Sequence, residues 1–385
     1  MKLNSALILS CLVLVGRTVL AQDAKPAATP PPQMPPPALV TPEVHSDDSV
    51  TFRFRAPNAQ DVKLAREGTQ PVAMQKDDSG VWAVTTPPLP PDYYGYSIIV
   101  DGQRAIDPYN SLLKPNLLST ENMVHVQGER PLPWELTDVP HGEVHHHFYR
   151  SAVCNDDRDY YVYTPPGYDP TAKKAYPVLY LLHGYSDDAS GWTAVGRANV
   201  ILDNLIVQGK AKPMIVVMPL GYGTMEIIRN GWGGIFNHPE VHEQNLTRFR
   251  EALLTEVMPK VESEYRVIKD RNSRAIAGLS MGGSESLLTG LNNLDRFASV
   301  GAFSAGGLPD PYEKDFPALD AKANQQLKLL WIACGTEDRL ITPNRNFREW
   351  LKSKGIQHVD IETPGMHTWM VWRRNLAEFA PLLFR

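Results

Sequence analysis

"AIAGLSMGGSES", residues 275–286, carries an apolar Ala275-Ile276-Ala277 directly into a serine bracketed by Gly278 and Gly282, with Gly283 behind. An apolar run that meets glycine, serine and glycine in this order predicts a buried strand turning sharply into a helix. At such a turn the serine is forced into a strained backbone conformation, and the flanking glycines relieve contacts with neighbouring elements. Its hydroxyl then stands above the end of a sheet, at the positive end of the following helix. In that setting Gly278-Leu279-Ser280-Met281-Gly282 marks Ser280 as a nucleophile rather than a structural serine.

A serine attacks only when a base takes its proton, and the base needs an acid to orient it. On α/β-hydrolase sheets the chain order is serine, acid, histidine. Downstream, "WIACGTEDRLI" ends a strand with Asp338 in the turn, and "ETPGMHTWMVW" places His367 between the last strand and the last helix. Both stand at carboxyl ends of strands, so both are expected to converge on Ser280. Asp360 and Glu362 lie inside the last strand, Glu337 sits one residue early in the turn, Asp310 and Asp315 have no strand in front, and His358 is at the wrong end of the sheet. A developing oxyanion needs preorganised N–H donors. The backbone amide of Met281, just after the nucleophile, supplies one; that of Tyr185, after the turn His183-Gly184, supplies the other. His183 itself is expected to hold this loop by side-chain hydrogen bonds. Tyr185, Trp192, Tyr222, Trp232, Phe236, Trp369 and Trp372 crowd the segments around the rim. Trp372 reads as core; Trp192, Trp232 and Trp369 read as loop aromatics suited to a flat aromatic or sugar substrate.

Outward from this constellation, strands and helices alternate from about residue 145 to the end. "YPVLYLL", "PMIVVMPLG", "RAIAGLS", "FASVGAF" and "KLLWIACG" are continuous apolar or near-apolar strands, "HVDIETPG" reads as a further strand, and "NLTRFREALLTEVMPKVESEYRV" is a long amphipathic helix. That alternation predicts a mostly parallel central sheet covered on both faces over 145–385, and the G-x-S-x-G turn set in it makes an α/β-hydrolase the expected fold. Before it, "SVTFRFRA", "DVKLA", "VWAVTT", "YYGYSIIVDG" and "MVHVQG" are short period-two strands separated by turns. They predict a small all-β immunoglobulin-like sandwich over 41–128. Residues 129–144 read as a connector lying along a surface.

The chain has 385 residues, 43% of them hydrophobic and 21% charged, an ordinary globular balance with length for more than one domain. A formal net charge of −5 gives no reason to expect nucleic acid or anionic lipid as a partner. Residues 1–21 have one lysine, an apolar run and small residues before Gln22, the pattern of a signal peptide; their removal takes away Lys2 and Arg17. Residues 22–40 are a proline-rich linker. An exported protein, periplasmic or extracellular, with no membrane contact after cleavage, is therefore expected. Cys154 and Cys334 lie in apolar strand-like surroundings and read as two buried free thiols. No cysteine or histidine spacing resembles a metal site, and successive side chains of His145-His146-His147 on a strand point to opposite faces. No metal or organic cofactor is expected, and nothing in the pattern specifies an oligomeric state.

From Val50 to Arg385 the chain resembles carbohydrate esterase family 1, the feruloyl and acetylxylan esterases with an appended N-terminal early-set sandwich. The residues that carry the resemblance are "YVYTPPGYDP", "YPVLYLLHGYSDDASGW", "AIAGLSMGGSES", "CGTEDRL" and "GMHTWMVWRRNL". It implies a serine carboxylesterase with Ser280 as nucleophile, Asp338 as acid, His367 as base and the Met281 and Tyr185 amides as oxyanion donors. It also implies a polysaccharide-linked ester or small phenolic ester as substrate, first among them feruloyl esters of arabinoxylan. Acetylxylan esterase and enterobactin-type siderophore esterase are the alternatives within the wider group. "VTFRFRAPNAQDVKLA" to "YYGYSIIVDGQRAIDP" resembles the glycogen-binding-module sandwich, whose Trp82, Tyr93, Tyr94 and Tyr96 are expected to fill a core or an interdomain face, making the module a spacer or lid.

Overall fold

A computed structural model describes residues 38–233, 237–308 and 311–385. The expected signal peptide, nearly all of the proline-rich linker, Phe236 and Asp310 lie outside them.

The larger sheet contains β1 (Glu143–Ser151), β2 (Asp156–Thr164), β3 (Val178–Leu182), β4 (Ile215–Pro219), β5 (Arg274–Leu279), β6 (Ser299–Phe303), β7 (Leu329–Gly335) and β8 (Val359–Thr363). Their order is β1-β2-β4-β3-β5-β6-β7-β8. β1 and β2 are antiparallel to their neighbours and the rest pair in parallel. β3, β4, β5 and β6 are buried along their whole length because helices cover both faces. β8 is an edge, and its acidic Asp360 and Glu362 are engaged by Arg348, Lys352 and Arg345. The long helix runs from Pro239 to Glu264 with one widened turn over Leu253–Val257. Pro259 has no N–H to return to that turn, which accounts for the widening.

Two further sheets form the N-terminal sandwich. One pairs Glu43–Val44, Val50–Arg55, Val81–Thr85 and Gln75–Lys76; the other is built around Asp92–Val100, flanked by Val62–Arg66 and Glu121–Val126. Alternate residues of the two inner faces, among them Phe52, Leu64, Tyr96, Ile98 and Val124, make its core. Trp82, Tyr94 and Tyr96 are buried there, while Tyr93, Met123 and Trp134 join the core of the larger domain. The aromatics of the sandwich thus fill cores and the interdomain face.

The segment after the sandwich is pinned to the helix Ala198–Val207. Asn204 donates to the Pro133 and Glu135 carbonyls, both at 2.9 Å, and Asp203 accepts from the Gly142 amide at 3.0 Å. His145 and His147 face Tyr265, whereas His146 stacks on Tyr161 on the opposite face. Cys154 and Cys334 are buried and free.

Candidate active site

β5 delivers Ser280 to the carboxyl-end rim, where its backbone adopts φ 50 and ψ −114, a left-handed conformation rare for a residue with a side chain. The glycines at either side are steric requirements. A Cβ on Gly278 would stand 2.8 Å from the Leu182 Cβ and against the Gly282 backbone, and one on Gly282 would stand 2.7 Å from the Leu182 carbonyl. The Ser280 amide donates to the Phe303 carbonyl at 2.8 Å, tying the turn to β6. The helix Met281–Leu291 starts at the next residue.

His367 and Asp338 both meet this serine. Nε2 of His367 lies 3.0 Å from the Ser280 Oγ, and its Nδ1 lies 2.7 Å from Oδ2 of Asp338. The Asp338 side chain is fully buried and also accepts from the Leu340 amide at 2.8 Å. Burial pushes its carboxyl upward, but the hydrogen bond and charge of His367, the Leu340 amide and the Ser304 hydroxyl outweigh that and hold it below the ordinary value. With a carboxylate on Nδ1, the tautomer with the proton there leaves Nε2 as a lone pair facing the serine hydroxyl.

Tyr185 follows the turn His183-Gly184 on the opposite side of the serine; a Cβ on Gly184 would stand 3.3 Å from the Ser280 Cβ. Among the described residues neither the Tyr185 nor the Met281 amide meets a protein acceptor, so both are available to an oxyanion. His183 is buried, its Nδ1 at 2.8 Å from the Gly184 carbonyl and its Nε2 accepting from the Gly221 amide at 2.8 Å. Burial holds its imidazole below the usual value, so it is a neutral brace for this loop.

The three loop tryptophans divide. Trp232 is 60% exposed and packs edge-on against Tyr185 at 6.1 Å, within the short turn Gly231–Gly233. The Tyr185 hydroxyl donates to the Ile227 carbonyl at 2.7 Å and lies against that of Gly231, fixing this corner. Trp192 and Trp369 do not fit the expectation of substrate contact. Trp192 is fully buried in the one-turn helix Gly191–Ala194, its indole N–H donating to the Leu182 carbonyl at 2.8 Å. Trp369 opens the last helix, Trp369–Phe379, and packs edge-on against Trp192 and Trp372 at 5.2 and 5.4 Å. These rings present no surface to a ligand; they are a wedge beneath the His367 loop, and Trp372 packs edge-on against the imidazole at 4.8 Å.

Several neighbours of the site carry little or no signal in the sequence. Ser304, at the carboxyl end of β6, is buried with φ 49, accepts from the Trp372 indole at 3.2 Å and neighbours Asp338. A polar residue closing the apolar run "SVGAF" was its only sequence signal. Asp187 is buried behind the Tyr185 loop, and burial pushes its carboxyl up to about 7 against the pull of Lys114 and the Asn116 hydrogen bond. Glu285, one turn along the serine's helix, is buried with no cation partner among the described residues; burial raises its carboxyl well above the ordinary value.

Comparison with known proteins places the chain among esterases. The Esterase family model matches residues 151–383, and the model for carbohydrate-binding module 48, the isoamylase N-terminal domain, matches residues 40–110. The chain is 30% identical over 351 residues to an endo-1,4-β-xylanase/feruloyl esterase of Xylanibacter ruminicola; the match covers 89% of this chain and 46% of that protein. It therefore spans just under half the length of that relative. A carbohydrate esterase family 1 ferulic acid esterase of Anaeromyces mucronatus, solved with ferulic acid, superposes with a TM-score of 0.56 at 28% identity, over 65% of this chain and 93% of that one. The enterobactin esterase of Shigella flexneri, solved with enterobactin, gives a TM-score of 0.62 at 20% identity, over 87% of this chain and 92% of that one. This last likeness is one of fold.

Proposed function

Since the chain belongs to the Esterase family of carboxylic ester hydrolases, with an α/β-hydrolase domain behind an all-β sandwich, we propose that it cleaves phenolic esters of plant cell-wall polysaccharide, feruloyl arabinoxylan first among them, through Ser280, His367 and Asp338. The observation that carries this reading is the unbroken line of contacts from Asp338 to His367 at 2.7 Å and from His367 to Ser280 at 3.0 Å.

In this mechanism His367 takes the Ser280 proton at Nε2 as the hydroxyl attacks the ester carbonyl. Asp338 holds the imidazole in register and stabilises its cation. The Met281 and Tyr185 amides bind the oxyanion, and the helix beginning at Met281 points its positive end at the same place. His367 then protonates the departing sugar alcohol, and water, activated by the same imidazole, releases the acid and restores Ser280. Trp232, exposed on the Tyr185 corner, offers an aromatic face to a phenolic acyl group.

The name of the xylanase/feruloyl esterase relative and the ferulic acid bound to the fungal esterase support the acyl group. The enterobactin esterase shares the fold alone at 20% identity, so substrate follows the relatives nearer in sequence. The amino-terminal pattern supports export, consistent with a polymeric substrate outside the cell.

The test compares kcat/KM on methyl ferulate with that on acetylated xylan. Fast ferulate turnover, lowered ~10⁴- to 10⁶-fold in Ser280→Ala, is expected. Trp232→Ala should erase about a tenfold share of the preference for ferulate over acetate, the scale of one aromatic contact. Rapid deacetylation with negligible ferulate turnover would replace feruloyl by acetyl as the acyl group. An undiminished Ser280→Ala enzyme would remove the mechanism.

A further inference from the structure

The helix that follows His367 has no cap of its own. Its N-cap residue, Thr368, makes no side-chain capping bond, although the first turn of a helix leaves N–H groups that need acceptors. The acceptor comes from the sandwich. Oε1 of Glu67 receives the Trp369 amide at 3.0 Å, while its Oε2 receives the Gly95 amide at 3.1 Å inside the sandwich. A carboxylate at the positive end of the helix is favourable in charge as well as geometry. Lys114 stands 3.7 Å from Glu67 and 3.1 Å from Glu121. Burial pushes the Glu67 carboxyl upward, but Lys114, Arg373 and the two amides overcome it and keep it below the usual value.

The opposite loop is held from the same module. Nδ2 of Asn116 donates to the Ser186 hydroxyl at 2.9 Å and to Oδ1 of Asp187 at 3.3 Å. The Leu117 amide donates to the Ser186 carbonyl at 2.7 Å. Ser186 has φ 72, so the residue directly after Tyr185 sits in a conformation its own side chain disfavours and needs outside contacts to persist. Asn116 is itself locked, its Oδ1 accepting from the Leu118 and Ser119 amides, both at 3.0 Å.

We propose that the N-terminal sandwich is a working part of the catalytic apparatus: Glu67 positions the His367 loop by capping the helix behind it, and Asn116 positions the Tyr185 loop. Neither residue touches substrate; each acts through a loop that does. The role differs from glycan binding, because it predicts a defect on esters too small to reach the sandwich. It rests on the ester hydrolysis proposed above.

The experiment uses the full chain and p-nitrophenyl acetate, with functional sites counted by titration with a p-nitrophenyl phosphonate. Glu67→Ala and Asn116→Ala should each lower kcat per titrated site by about 10- to 100-fold with KM nearly unchanged, the scale of a small displacement of catalytic groups. Glu67→Gln, which keeps a carbonyl oxygen for the Trp369 amide, should recover most of the loss. A merely structural role would lower the number of titratable sites and leave the rate at each one intact; that result, or wild-type kcat in both alanine variants, overturns the inference. If Glu67→Ala does not fold, Asn116→Ala decides alone by the same readout. Ser280-dependent wild-type turnover with unaffected Glu67 and Asn116 variants removes only this inference, whereas absent wild-type turnover removes the proposed hydrolysis and the inference with it.

Discussion

Around Ser280 the rim is shaped by backbone. Gly278 and Gly282 let strand and helix approach within distances that no Cβ allows, and the Ser280 hydroxyl is aimed by a turn within one short segment. At the seam between the sandwich and the larger domain the contacts are made by long polar side chains instead. Arg373, fully buried, donates to Oδ1 of Asp92 and to the Tyr93 carbonyl, both at 2.7 Å, and to the Val195 carbonyl at 3.1 Å. The turn that presents Ser280 is local in sequence and steric in origin; the seam is distant in sequence and electrostatic. They should therefore fail differently, the first in chemistry and the second in cohesion.

The largest effect belongs to the first. Asp338→Asn preserves volume but offers its amide to His367, so the imidazole loses the carboxylate that fixes its tautomer. A fall of about 10⁴ in kcat is expected while thermal stability changes little. A fall below tenfold on p-nitrophenyl acetate would show that another group orients His367, and the two regions would no longer differ in their effect on chemistry. Arg373→Met tests the other region. It keeps an apolar stem of similar length but leaves buried Asp92 with the Tyr93 amide, at 2.8 Å, and Arg374, at 3.3 Å and partly exposed, in place of its buried cation. A loss of about 3–5 kcal/mol in urea unfolding is expected, since removing one partner strands the other. A change near zero would mean that the apolar contacts of Tyr93, Met123 and Trp134 hold the seam without the ion pair.

This difference also decides what could be read from the chain. The strand-turn-helix at 274–291 was legible because glycine spacing and hydrophobic runs report local geometry directly. Asp338 and His367 followed from chain order and from the rule that strand ends share a rim. Glu67 and Asn116 had no such signal: Glu67 and Trp369 are separated by 302 positions, and a glutamate at a strand end is in most cases only a solvated charge. The burial of Trp192 and Trp369 is illegible in the sequence for a related reason. Their local sequences are loop-like, but burial is set by what packs above them, and each occupies the other's surface beneath His367. Trp232 has the same kind of sequence neighbourhood and stays exposed.

The smallest predicted effect lies where the two regions meet, at Asp187, which backs the Tyr185 loop and accepts from Asn116 of the sandwich. Burial first of all pushes its carboxyl up to about 7, opposed by the Lys114 charge and the hydrogen bonds from Asn116 and Gly184 and assisted by Asp188. Its folded value therefore lies above its unfolded value of 3.8, so the native state holds this proton more tightly. The associated stability is fully present below about pH 4, declines as pH rises, and is gone once pH has passed about 7. In Asp187→Asn the amide keeps an oxygen for Asn116 and cannot ionise, so its Tm should fall less between pH 5 and pH 8 than that of the wild type, by a few degrees. Parallel Tm curves for the two proteins would show that Asp187 is charged across this range, with Lys114 holding it as firmly as it holds Glu67.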